Sequence, residues 1–385
     1  ISACLVGSEM CIRDRYKESD NMEKLKHVIP SKKYEKQAIE YIKEFYEYNS
    51  DINGAGGLDR YLDNYDGWLK KLAEDRLRVP NEERVPAETY FLVRESDNKL
   101  IGMINIRLVL NEHLKKYGGH IGYGIRPTER QKGYNKVNLY LGLLCCQKQG
   151  IKEVLMDCDK ENLGSAKTMQ ALGGILIKEY YDDVYAHCIV QDYKINVDKA
   201  LQTYKDVYEP LVSHESDYTK VFESENIDYI ELSENLISDY LAMVNSKEVA
   251  NKISHNPKIY TYEDELFWIR NKLENNALCF SMLEKKTHEY IGNVEIMKIV
   301  NNIGEIGITI TPAKQNKQYG TEAMKAIIKY GYDNLNLVGF DLNVYKTNPK
   351  AINCYKKVGF IEDGVGKTKD DIHMTYKKIN NLGGI

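Results

Sequence analysis

Apolar residues recur at helical spacing through "YEKQAIEYIKEFYEY" (34–48) and "YDGWLKKLAEDRL" (65–77). The runs "TYFLVRE" and "LIGMINIRLVL" read as strands, and "SDNK" between them is a hairpin signal. Strand "HIGYGIRP", helix "GYNKVNLYLGLLCCQKQG", strand "KEVLMDCD" and helix "LGSAKTMQAL" follow, then short strands through "GILIKEYY" and "VYAHCIVQDY". The same order returns further on. Helices are expected from Glu234 to Met243 and from Thr261 to Leu273, and strands in "ALCFSMLEK", "EYIGNVEIMKIV" and "GEIGITITP". Helix "TEAMKAIIKYGYDN", strand "GFDLNVY", helix "PKAINCYKKVG" and a last strand pair complete it. Mixed hairpins and strand–helix–strand units predict an α/β fold of the α+β type, each half a mixed, mostly antiparallel sheet flanked by helices.

The return is an internal repeat. "HIGYGIRPTERQKGYN" (120–135) lies over "EIGITITPAKQNKQYG" (305–320) without a gap, and Asn162 and Gly173 then match Asn348 and Gly359. The length of 385 residues independently favours two domains. They are expected at 22–199 and 218–380, joined by a linker over 200–217 that holds Pro210. The stretch from Cys4 to Asp14 resembles the in-frame translation of a sequencing adapter, so residues 1–21 are set aside as a non-native leader and Met22 is taken as the start.

Composition narrows the chemistry. Hydrophobic residues at 43% and charged residues at 29% describe a soluble globular chain, and a formal charge of −4 gives no reason to expect nucleic acid or an anionic membrane. No window approaches the length needed to span a bilayer. The eight cysteines lack metal-ligand spacing, so reduced thiols in a cytoplasmic protein and no metal site are expected.

The repeated turn is where an anion would bind. A strand feeding a basic turn and then a helix presents unpaired N–H groups and the positive end of a dipole. The first copy offers Arg130, Gln131, Lys132, Gly133, Tyr134 and Asn135; the second offers Gln315, Asn316, Lys317, Gln318, Tyr319 and Gly320, with Lys314 beside it.

Both halves resemble the GNAT superfamily of acetyl-CoA-dependent N-acetyltransferases, whose signature turn is Gln/Arg-x-x-Gly-x-Gly/Ala. "RQKGYN" and "QNKQYG" match that turn, and "NLGSAKTM" and "NPKAINCY" match the later Asn-containing coenzyme segment. "GEIGITITP", "GTEAMKAII" and "NPKAINCYKKVGF" make the second half similar to the branch that acetylates small-molecule amines and ribosomal-protein N-termini. The resemblance implies acetyl-CoA as co-substrate, held by the two turns with Asn162 and Asn348, and direct attack of a primary amine on the thioester. It implies a backbone oxyanion donor near Ile125 and Arg126 or near Ile310 and Thr311. The base is expected at Glu305 in the second copy and at His120 or Asp157 in the first, where Asn343 matches Asp157. The acid beside the thiolate is expected at Tyr355, for which the first copy has Met169.

Two departures rank the copies. Gln318 stands where the first turn has Gly133, and a helical Gln still offers its amide there. Asn135 takes the slot matched by Gly320, where it either binds a phosphate or crowds the site. The second domain is the expected catalytic unit. The alternative makes one or both domains a non-catalytic acyl-CoA-binding or interaction module.

Overall fold

A computed structural model describes residues 23–213, 218–254 and 256–377. The leader and Met22 lie outside them. The chain divides into two compact units at residues 215/216.

The first unit runs β1 (Leu25–Val28), α1 (Glu35–Glu47), α2 (Tyr65–Arg76), β2 (Ala87–Arg94), β3 (Lys99–Arg107), α3 (Glu112–Lys116) and β4 (Ile121–Ile125). It continues with α4 (Tyr134–Lys148), β5 (Glu153–Asp159), α5 (Leu163–Ala171), β6 (Ile175–Asp182), β7 (Cys188–Asn196) and α6 (Val197–Tyr208). The second runs β8 (Lys220–Glu223), β9 (Ile227–Glu231), α7 (Ile237–Val244), α8 (Lys247–Ile253), α9 (Tyr262–Glu274), β10 (Leu278–Glu284), β11 (Tyr290–Val300) and β12 (Ile303–Ile310). After it come α10 (Tyr319–Leu335), β13 (Gly339–Tyr345), α11 (Pro349–Val358), β14 (Ile361–Val365) and β15 (Asp371–Lys377).

Local chemistry accounts for these elements. In α1 the residues Ala38, Tyr41, Ile42 and Phe45 recur at i, i+3, i+4 and i+7 and are buried. Thr261 and Asp264 form a reciprocal capping box that starts α9. Both β-hairpins turn on a left-handed residue, Asn98 and His288, and both carry a bulge at the same place, Leu92/Val93 and Met282/Leu283.

Two expectations need correcting. Residues 200–211 are not a linker: most are the last three turns of α6, whose Ala200, Leu201 and Tyr208 join the first core. Their amphipathic spacing, with Asn196 as N-cap, outweighs the single Pro210. The first unit also has two sheets rather than one, ordered β1-β2-β3-β4 and β5-β7-β6, whereas the second has one of eight strands, β14-β15-β13-β12-β11-β10-β9-β8. At the seam His120 N–H donates to Leu155 O, but Leu155 N–H donates to the His120 imidazole Nδ1 instead of a carbonyl, and the ladder stops. In the second unit parallel pairing of β12 with β13 covers Ile303 to Glu305 and then ends.

Each unit therefore holds a V between two parallel strands. One face of each sheet is buried under the helix that follows the turn and the later helix, α4 with α5 and α10 with α11. The opposite face of the first unit is a second apolar core under α1 and α2.

Candidate functional site

The V is lined by backbone. In the first unit Arg126 N–H donates to Ile101 O, and Arg107 N–H donates to His120 O. An antiparallel ladder alternates, so even-numbered residues of β4 bond to β3, and Ile121, Tyr123 and Ile125 aim their N–H groups into the V. In the second unit Thr311 N–H is committed to Ile291 O, which leaves Ile306, Ile308 and Ile310 facing inward. Arg126 and Thr311 N–H are thus committed to the sheet, while Ile125 and Ile310 N–H face the V. Ile308, which sequence reasoning missed, was findable by counting parity back from the strand end.

The turns share one path that sequence could not show. Gln131 and Gly133, like Asn316 and Gln318, are left-handed, at φ 64°, 82°, 60° and 66°. Gln318 is therefore not helical, as expected, but holds the conformation that glycine takes in the first copy. The first turns of α4 and α10 then point their N–H groups out of the fold, a cradle fit for a pyrophosphate. A Cβ added at Gly320 would meet only Cys354 Sγ, at 3.5 Å.

Most side chains assigned to the cradle hold its shape instead. Arg130 Nε donates to Ile125 O at 3.1 Å, and Gln315 Nε2 does the same to Ile310 O at 3.0 Å. Asn162 and Asn348 cap α5 and α11, accepting from Ser165 and Ala351 N–H. Asn135 Oδ1 accepts from Asn138 Nδ2 of its own helix at 3.4 Å. Lys132 bonds the buried Glu129, and Lys317 is exposed at the turn.

Behind each turn sits a clamp, and the two are inverted in charge. In the first copy Glu129 receives Lys99 at 2.5 Å, Lys132 at 2.7 Å and Arg94 at 3.2 Å. Burial would raise its carboxyl, yet these hydrogen bonds hold it at about 2. In the second copy the same position is Lys314, bonded to Glu284 at 2.7 Å and to Glu289. Tyr134 and Tyr319, expected at the coenzyme, instead turn their hydroxyls to these clamps, beside Arg94 and Glu284.

The expected bases fare differently. His120 Nδ1 accepts Leu155 N–H at 3.0 Å, which places the proton on Nε2 and leaves no lone pair for a substrate. Burial and the Arg107 charge push its pKa down. Asp157 Oδ2 accepts Gly118 N–H at 2.6 Å. Both serve the seam of the V. Glu305 stands at the last parallel pair of the second V, where Asn343 Nδ2 (3.1 Å) and Lys367 Nζ (2.6 Å) converge on its Oε1. Among the described residues nothing bonds its Oε2.

Tyr355 is buried in the second core against Phe360, and burial pushes its phenol well up. Its hydroxyl makes no hydrogen bond among the described residues, so it remains a neutral donor. Met169 at the matching position is fully buried. Cys145 and Cys146 are pushed up to about 12 by burial, the character of inert packing thiols. Among the described residues no group of three or more His, Cys, Asp or Glu could hold a metal, and no helix is long and apolar enough to cross a membrane.

The family model for an acetyltransferase (GNAT) domain matches residues 38–175 and again 231–361. Spermidine N(1)-acetyltransferase of Vibrio cholerae serotype O1 is 32% identical over 126 residues, which cover 32% of this chain and 73% of that protein. Spermidine N(1)-acetyltransferase of Escherichia coli K12 is 41% identical over 78 residues, 20% of this chain and 42% of that protein. A crystal structure of the V. cholerae spermidine N-acetyltransferase with CoA and spermine covers 40% of this chain and 96% of its own, at 21% identity and a TM-score of 0.37.

Proposed function

This chain belongs to the GNAT family of acetyl-CoA-dependent acyltransferases, in two copies, and on that premise we propose that its second domain acetylates a primary amine, with a polyamine the first acceptor to test. The observation that carries the reading is the meeting of Glu305, with Oε2 open, and inward backbone amides at the mouth of the second V. Acetyl-CoA supplies the acetyl thioester. The amides of the turn from Asn316 to Gln318 and of the start of α10 at Tyr319 and Gly320 hold its pyrophosphate, and the Ile308 and Ile310 amides face its arm and the oxyanion.

Glu305 takes the ammonium proton, through water, and frees the nitrogen lone pair. The N–C bond forms as the C–S bond breaks, Tyr355 gives its proton to the departing sulfur, and the second proton lost by the nitrogen returns through water to the Tyr355 phenolate. The first domain lacks the acid, its His120 is spent on its own backbone, and one carboxylate oxygen of Asp157 is taken by Gly118 N–H. It is proposed as a non-catalytic acyl-CoA-binding or structural module. The polyamine choice rests on the names of the sequence relatives.

Acetyl-CoA-dependent thiol release with spermidine, followed by mass detection of the product, tests this. Glu305→Gln is expected to lower kcat by roughly 100-fold or more, and Tyr355→Phe to lower it with little change in KM. No turnover across small amines and peptide N-termini would sink the proposal.

A further inference from the structure

The two copies differ most where neither the cradle nor the V is involved. In the first domain Trp68 on α2, Phe91 on β2 and Met103 on β3 are fully buried together, with Trp68 and Phe91 stacked at 5.8 Å. Counting from the N-caps Asn64 and Thr261, Trp68 corresponds to Glu265 on α9. Counting from the bulged hairpins, Phe91 and Met103 correspond to Ser281 and Asn293. An indole, a phenyl and a thioether have become a carboxyl, a hydroxyl and an amide.

Glu265 and Ser281 remain buried, and Asn293 is half-buried. Glu265 is 5% exposed, and among the described residues no hydrogen bond or ion pair reaches its carboxylate. Its small exposed area leaves the carboxylate open to a partner from outside the fold. Ser281 is fully buried, donates to Asn293 Oδ1 at 3.0 Å, and lies 2.6 Å from Tyr240 Oη. Tyr240 packs on Tyr290 at 5.3 Å, and the Glu265 charge acts on the Tyr290 phenol.

The lining leads to the V. Ser281 pairs with Asn293 across β10 and β11, and Asn293 pairs with Thr309 across β11 and β12, so the three form a polar row on one face. Glu305 is four residues before Thr309 on the same strand and hence on that same face. The even-numbered Ile306, Ile308 and Ile310 side chains take the other face, under α10. In the first domain the row reads Phe91, Met103, Gly124.

We infer that Glu265 anchors a second ammonium group of the acceptor, at a polar patch of α9, β10 and β11 where the matching positions of the first domain are apolar core. This rests on the amine acetylation proposed above. Strand spacings put the Ser281 and Glu305 ends of the polar row roughly 16 Å apart at Cα, so an acceptor that reaches along the row from Glu305 is extended. The acceptor is therefore an extended di- or polyamine. Burial, with Asp264 adding to it, holds the empty Glu265 carboxyl up at about 7, opposed by Lys258; an arriving ammonium would ionise it.

The test compares 1,8-diaminooctane with n-octylamine, the same chain without its second ammonium. For the full chain the diamine is expected to show a KM at least about thirtyfold lower, as for a buried charge pair. Glu265→Gln should raise the diamine KM to that of the monoamine, the change falling on KM rather than kcat. Glu265→Leu should do the same and raise Tm, because it removes an unpartnered buried carboxyl. Equal KM values in the unaltered chain, a loss confined to kcat, or a lowered Tm in Glu265→Leu would overturn the inference. Calorimetric binding of 1,8-diaminooctane without acetyl-CoA reads the anchor even if no amine is acetylated. Loss of that binding in Glu265→Gln supports the anchor, and its persistence refutes it.

Discussion

At Gln318 a residue with a Cβ adopts φ 66°, which its counterpart Gly133 adopts at φ 82° without strain. Gln318→Gly should therefore stabilise the second domain by roughly 0.5–1 kcal/mol in urea denaturation, and Gly133→Gln should cost the first domain about as much. The sequence reading expected an ordinary helical Gln there. Composition names a turn, but only the backbone path says which residues must be left-handed. His27 makes a second residue-scale prediction. Burial pushes it down to about 4, against the raising effect of its Asn138 hydrogen bond. Unfolded, it titrates near 6.5, so unfolding takes up a proton between those values. Its stability contribution is whole above pH 6.5 and falls by roughly 3 kcal/mol as pH drops towards 4. Denaturation midpoints across pH 4–7 should show that slope, and His27→Gln should flatten it.

Between elements, the clamp ties a hairpin to the turn before the cradle helix. Lys314→Glu would set a third carboxylate beside Glu284 and Glu289 and should cost about 3 kcal/mol or more. Reversing all three charges, with E284R, E289K and K314E, should recover most of that loss by reproducing the arrangement of Arg94, Lys99 and Glu129. Urea denaturation of both variants checks this. Elements with clear periodicity, such as α1, α4 and β2–β4, were legible because burial on one face imposes the period. The linker was misread because one proline drew attention from the amphipathic turns of α6 before it. Side-chain duties at the turn were illegible for another reason. Arg130 and Gln315 look like phosphate ligands by type, yet each finds a carbonyl five residues back that becomes a neighbour only once the strand ends and the chain doubles over.

At the scale of the whole molecule, the two copies keep one family's fold and differ in their polar groups. The repeat was readable from the aligned turns, and the family from the resemblance of those turns and of the Asn-containing segments to its signature. The unequal chemistry was readable in part: Met169 and Asn343 stood out, whereas Glu265 did not, because its helix was recognised by period without asking what its buried position held. The inverted clamps carry one more consequence. A nascent chain with two homologous halves risks docking the hairpin of one onto the turn of the other. Here that mistake would press Arg94 and Lys99 against Lys314, or Glu284 and Glu289 against Glu129. Like charges would meet at a buried point in either case, so each half accepts its own hairpin and repels its sibling's.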